Sequence, residues 1–336
     1  MKHFVVVAVL IAVVTVAVAA GLDSASLLPP LASAQGVIID WLFGLHLKVI
    51  AFLFALVMVF MLYSIVVFRR KAGESGDGAH IHGNTTLEII WTVVPVLIVA
   101  YFGYLGVVTL RDVTAAGPDE MVVKVTGSQW SWKFEYPRQG LTSSELVLPV
   151  NRDVRFDITS IDVIHSFWVP EFRVKQDAVP GAVNPLRVTT SVVGEYKVRC
   201  AEICGLVHAG MLAPVRVLPR ADFDAWVAAE IDRLAALETP AARGAQLYET
   251  QGCKACHSLD GSVLVGPSWQ NLFGSQEPLA DGSSVTVDED YIRNSILKPG
   301  EQLVEGFNNL MPATYEDMLT EADVEDIIAY MRSLQD

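Results

Sequence analysis

The only cysteines in the 336-residue chain are Cys200, Cys204, Cys253 and Cys256, and they form two close pairs. The first pair lies in Cys200-Ala201-Glu202-Ile203-Cys204-Gly205-Leu206-Val207-His208-Ala209-Gly210-Met211, with His165 upstream on the strand-like stretch from Val163 to Val169. One loop thus supplies two thiolates, an imidazole and a thioether, and a neighbouring one adds a second imidazole. Soft sulfur donors of this kind favour copper cycling between two oxidation states. The alternative is a tetrahedral zinc site of two cysteines and two histidines, which would leave Met211 unused and normally takes a shorter cysteine spacing. The second pair stands in Cys253-Lys254-Ala255-Cys256-His257. This is the Cys-x-x-Cys-His pattern of covalent haem attachment, in which two thiols form thioethers and the adjacent imidazole takes the iron. Met311, in Asn309-Leu310-Met311-Pro312, is the candidate sixth ligand, whereas Met318 and Met331 have helical surroundings and read as core. Beyond residue 110 the histidines are His165, His208 and His257. The two groups consume all of them, together with every cysteine.

These residues need elements to hold them. Hydrophobic residues make up 52% of the chain and mean hydropathy is +0.39, an excess concentrated before residue 110. Residues 1–34 contain an apolar run from Phe4 to Ala20 behind Lys2 and His3, with Ala32-Ser33-Ala34 as a small-residue cleavage pattern before Gln35. That segment reads as a signal peptide or as an extra membrane helix. Residues 35–118 hold two further runs, Trp41 to Phe68 and Leu87 to Leu110, each long enough to cross a hydrocarbon layer of ~30 Å. Arg69, Arg70 and Lys71 follow the first of these, which places the connecting loop in the cytoplasm and everything after Arg111 outside. Glu88 opens the last run and has two readings: a carboxylate handling protons beside the apolar layer, or a first-turn residue favoured by the helix dipole. Pro95 lies too deep for a helix start and predicts a kink or a satisfied break.

Outside the membrane, Met121, Val123 and Val125 alternate with polar residues, as do Leu146, Leu148 and Val150, and Val154, Phe156 and Ile158. Period-two runs broken by turn residues predict a β-sandwich or barrel over 119–218. An amphipathic helix from Ala221 to Leu237 and a linker at Glu238-Thr239-Pro240 fill 219–239, and a last domain occupies 240–336. Net charge is −14, and from Pro240 onward sixteen acidic residues face five basic ones. Nucleic acid needs a basic face and is excluded as a partner. The acidic domain is either a solvated surface or a field that steers a cationic donor protein.

The metal loop, with its upstream histidine, resembles the binuclear CuA signature of cytochrome oxidase subunit II. The same family is matched by Gly127-Ser128-Gln129-Trp130-Ser131-Trp132-Lys133-Phe134-Glu135-Tyr136, by Val163-Ile164-His165-Ser166-Phe167-Trp168-Val169-Pro170 and by Lys175-Gln176-Asp177-Ala178-Val179-Pro180-Gly181. The resemblance runs from about Trp41 to Trp226 and includes the membrane hairpin. It implies a cupredoxin-like domain in which Cys200 and Cys204 bridge two coppers. His165 and Met211 would complete one copper, His208 and the backbone carbonyl of Glu202 the other. It further implies magnesium on the Glu202 side chain at the boundary with subunit I, Trp130 as the aromatic where electrons enter, and Glu88 at the mouth of a proton channel. The last domain is similar to small class I cytochromes c, all-α, with Gly244 to His257 as the N-terminal helix and attachment motif. Gly266-Pro267-Ser268-Trp269-Gln270-Asn271-Leu272-Phe273-Gly274 would be the haem-packing loop, and a closing helix would run from Thr320 through Leu334. By that analogy the Pro267 carbonyl holds the second ring nitrogen of His257.

Together the two resemblances imply a caa-type arrangement in a bacterial-type cytoplasmic membrane, both soluble domains lying outside. Electrons would pass from a cytochrome c or cupredoxin donor to haem c, to CuA and to haem a in subunit I, with subunit III as a further partner. Dioxygen reduction coupled to proton translocation would occur in the partner. Two alternatives share much of this pattern: a CuA-bearing subunit of a membrane nitric oxide reductase, and a free-standing membrane copper and haem carrier.

Overall fold

A computed structural model describes residues 1–70, 72, 73, 78 and 80–335; Lys71, the last of the three basic residues after the second apolar run, lies outside the described residues. The chain divides into two compact units. Among its described residues the first holds three helices long and apolar enough to span a membrane, α1 (Lys2–Ser24), α2 (Ala34–Val67) and α3 (Thr85–Val113). A helix satisfies its own backbone groups, which is what permits it to stand in hydrocarbon. On α2, Ala51, Ala55 and Val59 recur at one-turn spacing and are the buried positions of its middle. Small residues at such spacing let neighbouring backbones approach closely. The Tyr63 hydroxyl lies 2.7 Å from His3 Nδ1, tying α1 to α2. α3 is continuous through Pro95, where a kink or a satisfied break was expected. At its N-terminus the Asn84 side chain accepts the Leu87 N–H, and the Glu88 carboxylate accepts the Asn84 N–H at 3.2 Å.

The second unit begins with ten strands: β1 (Met121–Ser128), β2 (Ser131–Tyr136), β3 (Leu141–Ser143), β4 (Leu146–Pro149), β5 (Asp153–Ser160), β6 (His165–Trp168), β7 (Lys175–Ala178), β8 (Asn184–Thr189), β9 (Gly194–Cys200) and β10 (Leu212–Leu218). They form two five-stranded sheets, ordered β3-β2-β1-β5-β8 and β4-β10-β9-β6-β7. In β1, β2 and β5 burial alternates strictly along the strand, so Val123, Val125, Phe134, Phe156 and Ile158 point into one core. The buried Tyr136 hydroxyl donates to the Val147 carbonyl and accepts the Val147 N–H, tying β2 to β4 of the other sheet. The helix expected after the sheets is α4 (Arg220–Ala235); its Phe223 and Trp226 pack on the β core rather than bridging open solvent.

The small-residue segment expected as a cleavage site belongs to this second unit. Ala32 is 1% and Ser33 0% exposed. The Ser33 hydroxyl donates to the Phe172 carbonyl at 2.7 Å, the Ala32 N–H donates to Glu171, and Ser33 forms a β-bridge with Thr190. A recognition sequence held in this way is a structural part of the β domain.

The remaining chain is mostly helical: α5 (Pro240–Thr250), α6 (Glu289–Leu297), α7 (Tyr315–Met318) and α8 (Glu321–Ser333); it departs from the all-α expectation in one small antiparallel sheet of β11 (Gln276–Pro278) and β12 (Ser284–Thr286). Thr239 caps α5, and Thr320 with Asp323 forms a complete capping box on α8. α5 and α8 cross at Gly244, where a Cβ would lie 1.9 Å from the Asp326 carbonyl oxygen, so only glycine permits the approach. Beside the crossing, Arg243 donates twice to the Asp326 carboxylate at 2.7 Å. Met331 is 4% exposed in the core of this domain, as expected, while Met318 is half-buried.

Candidate metal and haem sites

The antiparallel pairing of β9 with β10 sets Leu212 opposite Arg199, so the loop between them leaves and returns at one edge. β6 lies on the other side of β9, with Phe167 opposite Cys200, and this brings His165 to the same edge. Cys200 Sγ and Cys204 Sγ stand 3.7 Å apart. Each faces an imidazole of its own: Nδ1 of His165 is 3.9 Å from Cys200 Sγ, and Nδ1 of His208 is 3.5 Å from Cys204 Sγ. Met211, fully buried, places Sδ 3.8 Å from Cys204 Sγ, and the Glu202 carbonyl lies 3.1 Å from Cys200 Sγ. All six groups implied by the resemblance therefore converge on one place. Two sulfurs central to two flanking imidazoles are the donor arrangement a pair of shared metals requires, and the set fits copper by the softness of its ligands.

A group not singled out by the sequence holds the first imidazole. Asp162 accepts from His165 Nε2 at 2.8 Å, leaving Nδ1 directed at sulfur. Its other oxygen accepts the Gln129 N–H at 2.7 Å. Burial works against charge on Asp162, but the hydrogen bonds from His165, Gln129 and Val163 outweigh it and keep the carboxyl below the usual range. The same balance acts on Cys200: burial opposes ionisation, and hydrogen bonding to His165 and backbone groups brings its thiol down to about 6. Cys204 goes the other way, raised to about 12 by burial and by the neighbouring Cys200 charge. Gly127 leaves room for the imidazole, since a Cβ there would sit 3.1 Å from His165 Cδ2.

The outer lip of this loop is apolar and open. Ile203 is 83% and Leu206 73% exposed, and the Glu202 side chain is exposed beside them. Contiguous exposed apolar residues mark a surface that another protein covers. Trp130 is not at this surface: it is 3% exposed, and its indole N–H donates to the Cys204 carbonyl at 3.1 Å. Gln129 donates to the same carbonyl through Nε2 at 2.7 Å. Glu88 stands apart from these groups, at the start of α3, in the capping contact with Asn84 already described.

In the helical domain a cavity with about 900 Å³ of atom-free space is walled by Cys256, His257, Val265, Leu272, Ile296 and Met311, among others. His257 Nδ1 is 2.8 Å from the Pro267 carbonyl, which leaves Nε2 as the free ring nitrogen. Metal-bound imidazoles are generally oriented by such a contact. Gly266 allows it, because a Cβ there would lie 2.6 Å from His257 Cε1. Burial pushes the His257 pKa down against the pull of the Pro267 carbonyl, so the ring is neutral and able to ligate. Tyr248 donates to the His257 carbonyl at 2.6 Å and packs on Trp269. An apolar crevice with the Cys256 thiol, a neutral imidazole and a thioether on its walls, and with Cys253 lining a smaller cavity that shares Cys256, His257 and Met311, fits a covalently attached haem. Met331 also lines this crevice, a contact its helical position did not reveal.

Of the residues that the sequence reading passed over, Asp162 had a signal: it stands three positions before His165. Gln129 had none beyond its place in the aromatic segment.

Three family descriptions match the chain in order: the transmembrane domain of cytochrome c oxidase subunit II over residues 17–106, its periplasmic domain over 138–218, and cytochrome c over 241–335. Among curated relatives, the cytochrome c oxidase subunit 2 of Alkalihalophilus pseudofirmus is 35% identical over 310 residues, covering 88% of each chain. That of Bacillus sp. strain PS3 is 33% identical and covers 80% of each, and that of Thermostichus vulcanus is 36% identical over 60% of this chain and 77% of its own. Among solved structures, the periplasmic domain of subunit II of cytochrome oxidase of Bradyrhizobium japonicum is 32% identical, covering 35% of this chain and 98% of that one with a TM-score of 0.34.

Proposed function

The chain belongs to the cytochrome c oxidase subunit II family in a form that carries its own cytochrome c domain, and from that premise we propose how its residues divide the work. It is a membrane-anchored electron-transfer subunit of a haem-copper oxidase whose soluble domains lie on the outer side of the membrane, with subunit I as partner. When bound, haem c and the CuA pair supply one-electron chemistry that links a donor to haem a of subunit I. The present chain's part is to hold these groups, orient them and keep water out.

Cys200 and Cys204 would hold both coppers through their thiolates, with His165 Nδ1 and Met211 Sδ for one copper and His208 Nδ1 and the Glu202 carbonyl for the other. Asp162 keeps the His165 ring turned. Cys253 and Cys256 would attach the haem, His257 and Met311 would hold its iron, and the Pro267 carbonyl fixes the His257 ring. A Met/His pair raises the haem potential into an electron-accepting range. The domain limits are those read from the sequence, 119–218 for copper and 240–336 for haem, except that residues 32–34 join the copper domain. The observation that carries this reading is the pair of sulfurs 3.7 Å apart, each with its own imidazole nitrogen.

The finer assignments rest on the family likeness. The exposed Glu202 carboxylate holds magnesium where Ile203 and Leu206 meet subunit I. Glu88 stands at the mouth of a proton channel, its carboxylate also closing the first turn of α3. Trp130, whose indole donates to the Cys204 carbonyl, is the family's electron-entry aromatic. Subunit III completes the complex in a bacterial cytoplasmic membrane, and the donor is a cytochrome c or a cupredoxin.

The test is purification of the intact membrane complex, followed by metal analysis, pyridine haemochrome and dioxygen uptake. Haem c, haem a and a near-infrared copper band are expected together. Zinc in place of copper, or haem c without haem a, refutes the assignment.

A further inference from the structure

The haem crevice does not end within its own domain. Behind it, a smaller cavity is lined by Gly252, Cys253, Cys256, His257 and Met311 together with Gln129, which belongs to the turn between β1 and β2. Cys256, Val265 and Leu310 of the cytochrome domain pack against the core of the β domain. A close approach is made by Gly252, in the left-handed region at φ 82°, where a Cβ would lie 2.2 Å from Ser131 Oγ. At this position a side chain would be strained by the backbone and would collide with the Ser131 side chain, so one of the two segments would have to shift.

Gln129 therefore has two neighbours that no other residue described above combines. One side of it forms the crevice wall beside both attachment cysteines; on the other, Nε2 donates to the carbonyl of Cys204 at 2.7 Å. Trp130 reaches the same carbonyl but does not line that cavity. Gly205, at φ 119°, keeps the route compact: a Cβ there would lie 2.9 Å from Gln129 Nε2.

We propose that Gln129 is the bridge between the two electron sites, and that Gly252 against Ser131 is the contact that seats the cytochrome domain on it. Electron tunnelling decays more steeply across a gap than along bonded atoms. The Gln129 amide, on the wall of the cavity beside the attachment cysteines, shortens the gap on the copper side with one hydrogen bond and then the covalent path from the Cys204 carbonyl to its sulfur. The electron given up by the reduced haem is the one taken by the oxidised copper pair. The neutral amide neither gains nor loses a proton.

This inference rests on the ligand assignments proposed above, and the test separates the two. In the purified complex, the unmutated protein must first show the haem c and near-infrared copper bands; their absence overturns the assignments and the bridge together. With both present, the haem c to copper transfer rate is followed after flash reduction in Gln129→Leu, Trp130→Phe and Ser131→Leu. Gln129→Leu is expected to slow transfer several-fold, and more than Trp130→Phe does, with copper hyperfine pattern and haem potential unchanged. Ser131→Leu is expected to slow it too, and to weaken the magnetic interaction between haem and copper as the domains separate. An unchanged rate in Gln129→Leu overturns the bridge. So does a slowed rate accompanied by an altered copper spectrum, which would make Gln129 a support for the Cys204 loop only. A larger loss in Trp130→Phe returns the role to the indole.

Discussion

Asp162 accepts a hydrogen bond from Nε2 of His165 at 2.8 Å, and this single contact decides which nitrogen of a fully buried imidazole faces the sulfur pair. A carboxylate behind a ligating histidine raises its basicity and fixes its rotation.

Replacing Asp162 with Asn removes the charge while keeping the size. The oxidised copper pair loses more support than the reduced one, so the copper reduction potential is expected to rise. Copper affinity is expected to fall by about 10–100-fold, the usual cost of losing such a partner. A redox titration at the near-infrared band and a chelator competition measure the two effects; no change in either would show that the ring is held by packing alone.

Met211→Leu conserves volume at a position with no exposed surface, so the domain should lose less than about 1.5 kcal/mol. The thioether is gone, and the copper potential shifts. The haem c spectrum is expected to stay as it was, because Met311, not Met211, faces His257. Loss of both spectra would contradict separate ligand sets.

Ser33 predicts where processing does not occur. A cut between Ala34 and Gln35 would remove a hydroxyl that is buried and bonded to Phe172. Mass spectrometry of the chain in the purified complex is expected to recover peptides containing Ala32-Ser33-Ala34, and a mature N-terminus at Gln35 would refute this. Ser33→Ala should destabilise the outer domain by about 1–3 kcal/mol, since the Phe172 carbonyl is left buried without its donor; thermal unfolding of the complex gives the value.

The acidic cytochrome domain makes a kinetic prediction. Oxidation of a basic donor protein should slow as salt is raised from low ionic strength to about 0.1 M, where the screening length is about 10 Å. Reduction by a small uncharged reductant should not. Stopped-flow traces at both salt levels, with both reductants, decide it; equal salt dependence would mean that the acidic residues are only a solvated surface.

Much of the site could be read along the chain because its ligands are local. Cys200, Cys204, His208 and Met211 share one loop, and Cys253, Cys256 and His257 share one turn, so spacing alone puts their donor atoms within reach of a common centre. Period-two burial in β1 and β5 and the long apolar runs of α1 to α3 were equally visible, since each follows from solvent acting on consecutive residues. At Pro95 and Glu88 the sequence left alternatives open: α3 runs on through the proline, and the Glu88 carboxylate accepts the Asn84 N–H in the first turn of the helix.

What the order of residues determined by itself was the chemistry: which donors, in which groups, and between which kinds of element. Tertiary structure alone decided the partners that lie far along the chain, with Asp162 meeting Gln129 across 33 positions, Gln129 meeting Cys204 across 75, and Ser33 meeting Phe172 across 139. The reason is physical. A ligand loop is specified by its own short covalent path, whereas contacts between distant segments are selected only when the whole core packs and every buried polar group must find a partner.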